Sequence, residues 1–237
     1  MTADRPAVDV VIPALDEREA IGRVLAALPS QALRHVIVVD NGSTDGTADV
    51  ARSAGALVVR EPRRGYGRAC LAGLAELDRR GPPDVVAFLD ADYSDHPEEL
   101  SQLVAPIVED RADMVVGSRM LRPESRRALL PQARFGNRLA ALLLRRLYGL
   151  EATDLGPFRA IRWSTLAALG MRDPDFGWTV EMQARAARAG VRYREVAVSY
   201  RPRIGRSKIS GTLAGSARAG AKILWTLARL HARGRRS

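Results

Sequence analysis

Apolar residues fall in short blocks through the first half of the chain, and polar clusters separate them. Residues 8–12, 35–39, 56–60, 84–90 and 114–117 are runs of strand length and β-branched character, each with the look of a buried central strand. Between the first two, Ile21, Val24, Leu25 and Leu28 recur at helical spacing and Pro29 ends the series. Residues 65–77 form a helix of small residues, and Pro97 followed by Glu98 and Glu99 reads as an opening helical turn. Strands alternating with helices at this rhythm predict crossover units, a mostly parallel sheet and helices on both faces. The class is therefore α/β.

The second half has a different pattern. In 131–150, Phe135, Leu139, Leu142, Leu143 and Leu147 share one face while Arg134, Arg138 and Arg145 lie on another. In 213–230, Leu213, Ala217, Gly220, Leu224 and Leu227 form a stripe, and Arg218, Lys222, Arg229 and Arg233 lie opposite. Such basic amphipathic helices suit an anionic membrane interface, or they pack on the domain with a solvated basic face. One more strand is expected at 193–198, followed by a loop rich in Arg, Pro and Gly that contains Arg201, Arg203, Arg206 and Lys208. That composition suits a clamp for phosphate, since Arg binds phosphate bidentately and Lys as a point charge.

The charge balance sharpens this division. Residues 1–118 carry 12 arginines against 20 acidic side chains, whereas 119–237 carry 25 basic residues against 7 acidic ones. The basic half points to an anionic partner, either nucleic acid or an acidic membrane surface. Its aromatics do not interleave with the basic residues as a stacking platform requires, and no binding motif is present, so no nucleic acid is expected. A single cysteine, Cys70, excludes an internal disulfide and fits a reducing compartment. No apolar leader is visible and no apolar run reaches the ~20 residues of a membrane span. The expectation is a cytoplasmic protein, peripheral on the membrane face.

In open parallel sheets, ligands bind beyond the carboxyl ends of the strands. Four polar clusters lie at those ends: 13–17, 40–45, 90–94 and Ser118-Arg119. In Asp90-Ala91-Asp92, side chains two apart in extended chain point the same way, so both carboxylates reach one cation. Magnesium takes one or two carboxylates and completes its shell with water and substrate phosphate oxygens. Taken alone, the pair also fits a solvated turn and helix cap. Gly65-Tyr66-Gly67 either lets backbone approach a ligand or simply turns the chain. A Gly-x-Gly-x-x-Gly after the first strand and a Walker loop are both missing, which excludes those nucleotide sites.

Taken in order, these segments resemble the family 2 glycosyltransferases, and within them the dolichol-phosphate mannose synthase and polyprenyl-phosphate glycosyltransferase group. The resemblance spans residues 10–211 and rests on 13–17, 38–46, Asp90-Ala91-Asp92 with Ser94 and Pro97, 117–119, 154–159, Glu181 and Ser207-Lys208. It implies a GT-A fold over 1–211 with a basic amphipathic helix and tail over 212–237. It also implies a UDP- or GDP-sugar donor, Mg2+ or Mn2+, and a polyprenyl phosphate acceptor. Carried over residue by residue, Pro13, Leu15, Glu17, Val38, Asp40, Asp90, Ala91 and Asp92 would hold the nucleotide sugar, with Lys208 and Arg203 or Arg201 closing over its diphosphate. Asp90 and Asp92, helped by Ser94, would bind the metal. Arg119, Arg134 and Arg206 would hold the acceptor phosphate, and Asp92, Arg119 and the pocket carboxylate Glu181 would stand at the reacting centre.

Three departures qualify the resemblance: Asp16 where Asn is usual, Asn41 where a second Asp is common, and Ser94 where many members have Gln. The reaction expected is transfer of a hexose with inversion. An acceptor phosphate, with a second pKa of about 6, needs no general base. The alternative is a soluble glycosyltransferase acting on a small phosphorylated or hydroxyl acceptor; a hydroxyl would need a base, with Asp154 or Glu181 as candidates.

Overall fold

Strands β1 (Val8–Ala14), β2 (His35–Asp40), β3 (Leu57–Arg60), β4 (Val85–Phe88), β5 (Met114–Ser118), β6 (Arg159–Arg162) and β7 (Tyr193–Ala197) form one sheet. Its order is β3-β2-β1-β4-β6-β5-β7 in a computed structural model that describes residues 5–205 and 213–234. All neighbours are parallel except β6, which runs antiparallel to both β4 and β5. The expected mostly parallel α/β sheet is present, with one strand that the apolar pattern does not reveal. Arginines begin and end the segment Arg-Ala-Ile-Arg, and only Ala160 and Ile161 carry an apolar signal.

The helices are α1 (Arg18–Ala27), α2 (Thr47–Ser53), α3 (Tyr66–Arg80), α4 (Leu100–Val108), α5 (Pro123–Ala128), α6 (Pro131–Tyr148), α7 (Trp163–Leu169), α8 (Trp178–Arg188) and α9 (Leu213–Gly234). One apolar cluster lies on the face covered by α1 and α4, and includes Val10, Ile12, Ile21, Val24, Leu100, Leu103 and Ile107. A second, on the opposite face, joins Val11, Val39, Phe88 and Val116 to Ala69, Leu77, Trp178 and Met182. Burying each of the larger aliphatic side chains contributes about 1.5–3 kcal/mol, so the two-faced burial of the central strands holds the rim above them in register.

Gly73 in α3 lets that helix lie close on the sheet: a Cβ there would stand 2.5 Å from Val11 Cγ1. A third cluster unites α6, α8 and α9 through Leu144, Val180, Ala184, Leu227 and Leu230. Both basic helices therefore pack one face on the domain, but not wholly along the expected stripes: Phe135, Leu142 and Leu224 are exposed, while Ala140, Leu144, Leu227 and Leu230 are buried. No helix among the described residues is long and apolar enough to cross a membrane.

Candidate active site

At the carboxyl ends of β1, β2 and β4 lies a cavity of about 630 Å³. The end of β1 supplies Pro13 to Glu17, the end of β2 supplies Asn41, and the end of β4 supplies Asp90, Ala91 and Asp92. Arg64, Gly65 and Tyr66 enter from the start of α3, while Pro157, Asp175, Phe176 and Thr179 form the wall toward α8. Arg203 closes the mouth.

Two loops are fixed by side chains that leave few polar groups to chance. The Asn41 amide donates to the carbonyls of Glu61 (3.0 Å) and Arg63 (2.9 Å), and its oxygen accepts the Gly65 N–H at 2.8 Å. A carboxylate could not make the two donations, which gives a physical reason for Asn rather than Asp at this position. Asp16 sits at φ 52°, a left-handed conformation that Asp tolerates, and its Oδ1 accepts the Thr44 N–H at 2.8 Å. The Glu17 N–H donates to Thr47 Oγ1 at 2.8 Å.

The acidic turn after β4 is more constrained. Tyr93, between Asp92 and Ser94, has φ 61°, a strained setting for an aromatic residue, and strain of this kind gathers at functional sites. The Arg201 guanidinium holds it there, lying 3.7 Å from the Tyr93 ring centre and donating to the carbonyls of Tyr93 (2.8 Å) and Asp95 (3.1 Å). The Ser94 N–H donates to Asp92 Oδ1 at 2.9 Å. Burial, with Asp92 and Asp95 nearby, pushes the Asp90 carboxyl well above the usual carboxylate range, and a hydrogen bond with Tyr66 acts in the opposite sense. Burial likewise raises Asp95 to about 7. The Arg203 guanidinium bridges Glu17 and Asp92, lying 3.2 Å from Asp92 Oδ2.

Pro13, Leu15, Glu17, Asp90, Ala91, Asp92 and Arg203 are thus brought to one cavity. Others on the expected list are not. Val38 is fully buried in the apolar cluster under α1, because β2 is central and that side chain points into the core. The Asp40 carboxylate accepts the Ser43 N–H at 2.9 Å and shapes the turn after β2 instead of lining the cavity. Ser94 is buried and hydrogen-bonds Tyr200, so it orients the turn from behind. Arg134 is half-buried near the start of α6 and does not line the cavity. Arg206 and Lys208 lie outside the described residues.

Two further placements differ from expectation for a clear reason. Glu181 is fully buried: Oε2 accepts the N–H groups of Arg172 (3.0 Å) and Asp173 (2.6 Å), while Oε1 accepts from Arg185 at 2.9 Å. It secures the loop behind the cavity wall instead of facing the cavity. Asp154 is also fully buried and binds Arg119 through Nε and Nη2, both at 2.8 Å, as well as through its backbone N–H at 2.9 Å. This pair raises the Arg119 pKa further, and Arg119 stacks 5.1 Å from the Tyr200 ring centre. Asp175 is a cavity group that spacing alone does not single out. An Asp-Pro-Asp in an otherwise basic half was the available signal for Asp175.

The profile of "Glycosyl transferase family 2" matches residues 9–170, which take in the rim, the acidic turn and the Arg119–Asp154 pair. The chain is a family 2 glycosyltransferase. An uncharacterized glycosyltransferase of Mycobacterium tuberculosis is 44% identical to it over 211 residues, covering 89% of this chain and 93% of that one. The undecaprenyl-phosphate mannosyltransferase of Micrococcus luteus is 34% identical over 223 residues, covering 87% and 89%. The solved structure of glucosyl-3-phosphoglycerate synthase from M. tuberculosis, in complex with Mn2+, UDP-glucose and phosphoglyceric acid, superposes with a TM-score of 0.72 at 26% identity. That match covers 94% of this glycosyltransferase and 80% of the solved chain. The sheet order and helix layers are those of the GT-A fold.

Proposed function

We propose that this glycosyltransferase moves a hexose, with inversion, from a nucleotide-diphosphate sugar onto a polyprenyl phosphate at an anionic membrane surface. One observation carries the choice of acceptor: Asp154 and Glu181, the carboxylates first considered as bases for a hydroxyl, are both spent, on Arg119 and on the 172–173 backbone. A phosphate acceptor arrives already ionised and requires no base. The 34% identity to an undecaprenyl-phosphate mannosyltransferase supports the same reading. So do the exposed Phe135 and Leu142 on α6 beside Arg138, Arg145 and Arg146, and the exposed Leu224 and Trp225 on α9.

The donor set fits a divalent cation. Asp90 and Asp92 are hard oxygen ligands lining one cavity, and the Arg203 guanidinium at Asp92 is a cation already drawn to that spot. Asp90 and Asp92 would hold Mg2+ or Mn2+, which when bound stabilises the charge that develops on the leaving diphosphate. Pro13, Leu15 and Glu17 would border the nucleotide. Arg203 would add a second positive charge at the diphosphate, and Lys208 follows it five residues later in the sequence. Arg119, Arg134 and Arg206 remain the candidates for the acceptor phosphate.

The test is an assay of purified protein with Mg2+ or Mn2+, UDP- and GDP-sugars and a short polyprenyl phosphate, read by mass spectrometry. A lipid-phosphate sugar is the expected product. Nucleotide release with no glycosylated lipid would overturn the acceptor.

A second reading, transfer to a soluble hydroxyl-bearing phosphate, draws on the Asp175 carboxylate in the cavity wall and on the phosphoglyceric acid of the solved structure. Asp175 would then be the base, and Asp175→Asn would cost about 10²–10⁴ in turnover. The lipid-phosphate reading requires no such loss.

A further inference from the structure

The loop between α7 and α8 is held from three sides, and one of them is the C-terminal helix. Asp173 is fully buried within this loop, and its Oδ1 accepts the Asp175 N–H at 2.9 Å. Its Oδ2 faces three groups of α9: Thr226 Oγ1 at 3.3 Å, Lys222 Nζ at 3.3 Å and Arg229 Nη2 at 4.0 Å. From α8, Glu181 accepts the Asp173 N–H. From α3, the Arg68 N–H donates to the Pro174 carbonyl at 3.0 Å. The approach on that side is so close that a Cβ on Gly67 would stand 1.9 Å from the Asp173 carbonyl oxygen. Immediately beyond this joint, Asp175, Phe176 and Thr179 form the cavity wall.

A buried carboxylate is costly without a counter-charge, and the two cations that face it among the described residues, Lys222 and Arg229, both come from α9. Covering the third apolar cluster would need only residues such as Leu227 and Leu230, with no ion pair. The same two cations also flank the exposed Trp225 indole, at 5.0 Å and 4.5 Å. Whatever engages the outer face of α9 therefore acts on the groups that hold Asp173.

We propose that Asp173 is a positioning residue whose pairing with Lys222 and Arg229 makes α9 the support of the cavity wall over residues 175–179. The binding of substrate at that wall then depends on α9 being docked. This consequence rests on the glycosyltransferase site described above, but the joint itself can be tested without it.

The experiment compares the full-length protein with Asp173→Asn, with Lys222→Met/Arg229→Met and with Lys222→Arg, by amide exchange of residues 174–179 and by steady-state kinetics. The double variant keeps the apolar stems that pack and removes only the charges, so it remains informative if Asp173→Asn fails to fold. Expected is exchange at 174–179 faster by about tenfold or more, as local opening becomes easier, with β1 and β4 protection unchanged. With it KM should rise about fivefold while kcat changes less than twofold, the signature of weakened binding. Lys222→Arg, which keeps the charge, should retain wild-type behaviour. Unchanged exchange at 174–179, or a uniform increase across the chain, overturns the proposal. If the wild type transfers no sugar, the functional reading fails, and the exchange data still decide the joint.

Discussion

Arg119 tests whether the buried pair beside the site is architecture or machinery. Its Nε, Nη2 and backbone N–H all go to Asp154, whose side chain is fully buried, while that of Arg119 is 12% exposed. Changing Arg119 to Met keeps an apolar stem but leaves the Asp154 carboxylate with no counter-charge in this pair. Breaking a buried pair from one side costs about 3–5 kcal/mol, because the remaining charge is stranded. For a chain of this length, at about 2–4 °C per kcal/mol, this predicts a fall in Tm of about 6–20 °C. The double variant Arg119→Met/Asp154→Leu removes both charges and should recover most of the loss, as hydrophobic replacement of a buried pair is often neutral or better. Urea denaturation with coincident fluorescence and circular dichroism transitions would measure both. A single variant with an unchanged midpoint would refute the reasoning. A stable double variant that binds nucleotide sugar but no longer uses acceptor would show that Arg119 also meets the acceptor phosphate.

Three further outcomes are expected. Asp92→Ala should reduce metal-dependent nucleotide release by at least about 10²-fold, the scale of losing one electrostatic element at a developing charge, and full turnover would remove Asp92 from the metal site. Gly67→Ala forces a Cβ into the Asp173 backbone carbonyl, so it should cost about 1–3 kcal/mol in thermal unfolding and displace the 172–179 loop; an unchanged Tm would contradict this geometry. Hydrogen bonds from Arg192 hold the Asp113 carboxyl down to about 2, against 3.8 when unfolded. A lowered folded-state pKa gives stability that is present above about pH 4 and is lost as pH falls through 2, so the stability difference between wild type and Asp113→Asn should disappear across that window in acid titration.

The sheet was largely legible because its strands are buried on both faces and read as apolar runs. Strand β6 was not, for a reason visible at Arg159. That side chain is buried yet satisfied by the carbonyls of Leu155, Gly156 and Thr179, so a residue that looks like loop in the sequence is strand in the structure. The rim was legible because four polar clusters stand at strand ends. What each carboxylate does there was less so. Asp90 and Asp92 face the cavity, whereas Asp40, Asp154 and Glu181 are turned to backbone N–H groups or to an arginine. Spacing cannot separate these cases, since a carboxylate suits a buried N–H as well as it suits a ligand. The order of the segments gave the family. The wall at Asp175 and Phe176 depended on α3, α8 and α9 meeting at one loop, which no local pattern reports.

The antiparallel strand β6 also bears on how the chain is made. Strand β4, which ends at the acidic turn, finds one neighbour in β1 among residues already synthesised, but its other edge stays open until residues 159–162 leave the ribosome. Strand β5 waits for the same segment. At about 5–20 residues per second, that leaves the β4 and β5 edges that β6 will fill exposed for seconds during translation. The nascent chain is therefore most open to edge-to-edge association while the intervening stretch is being made, and a chain cut short within it would keep both edges.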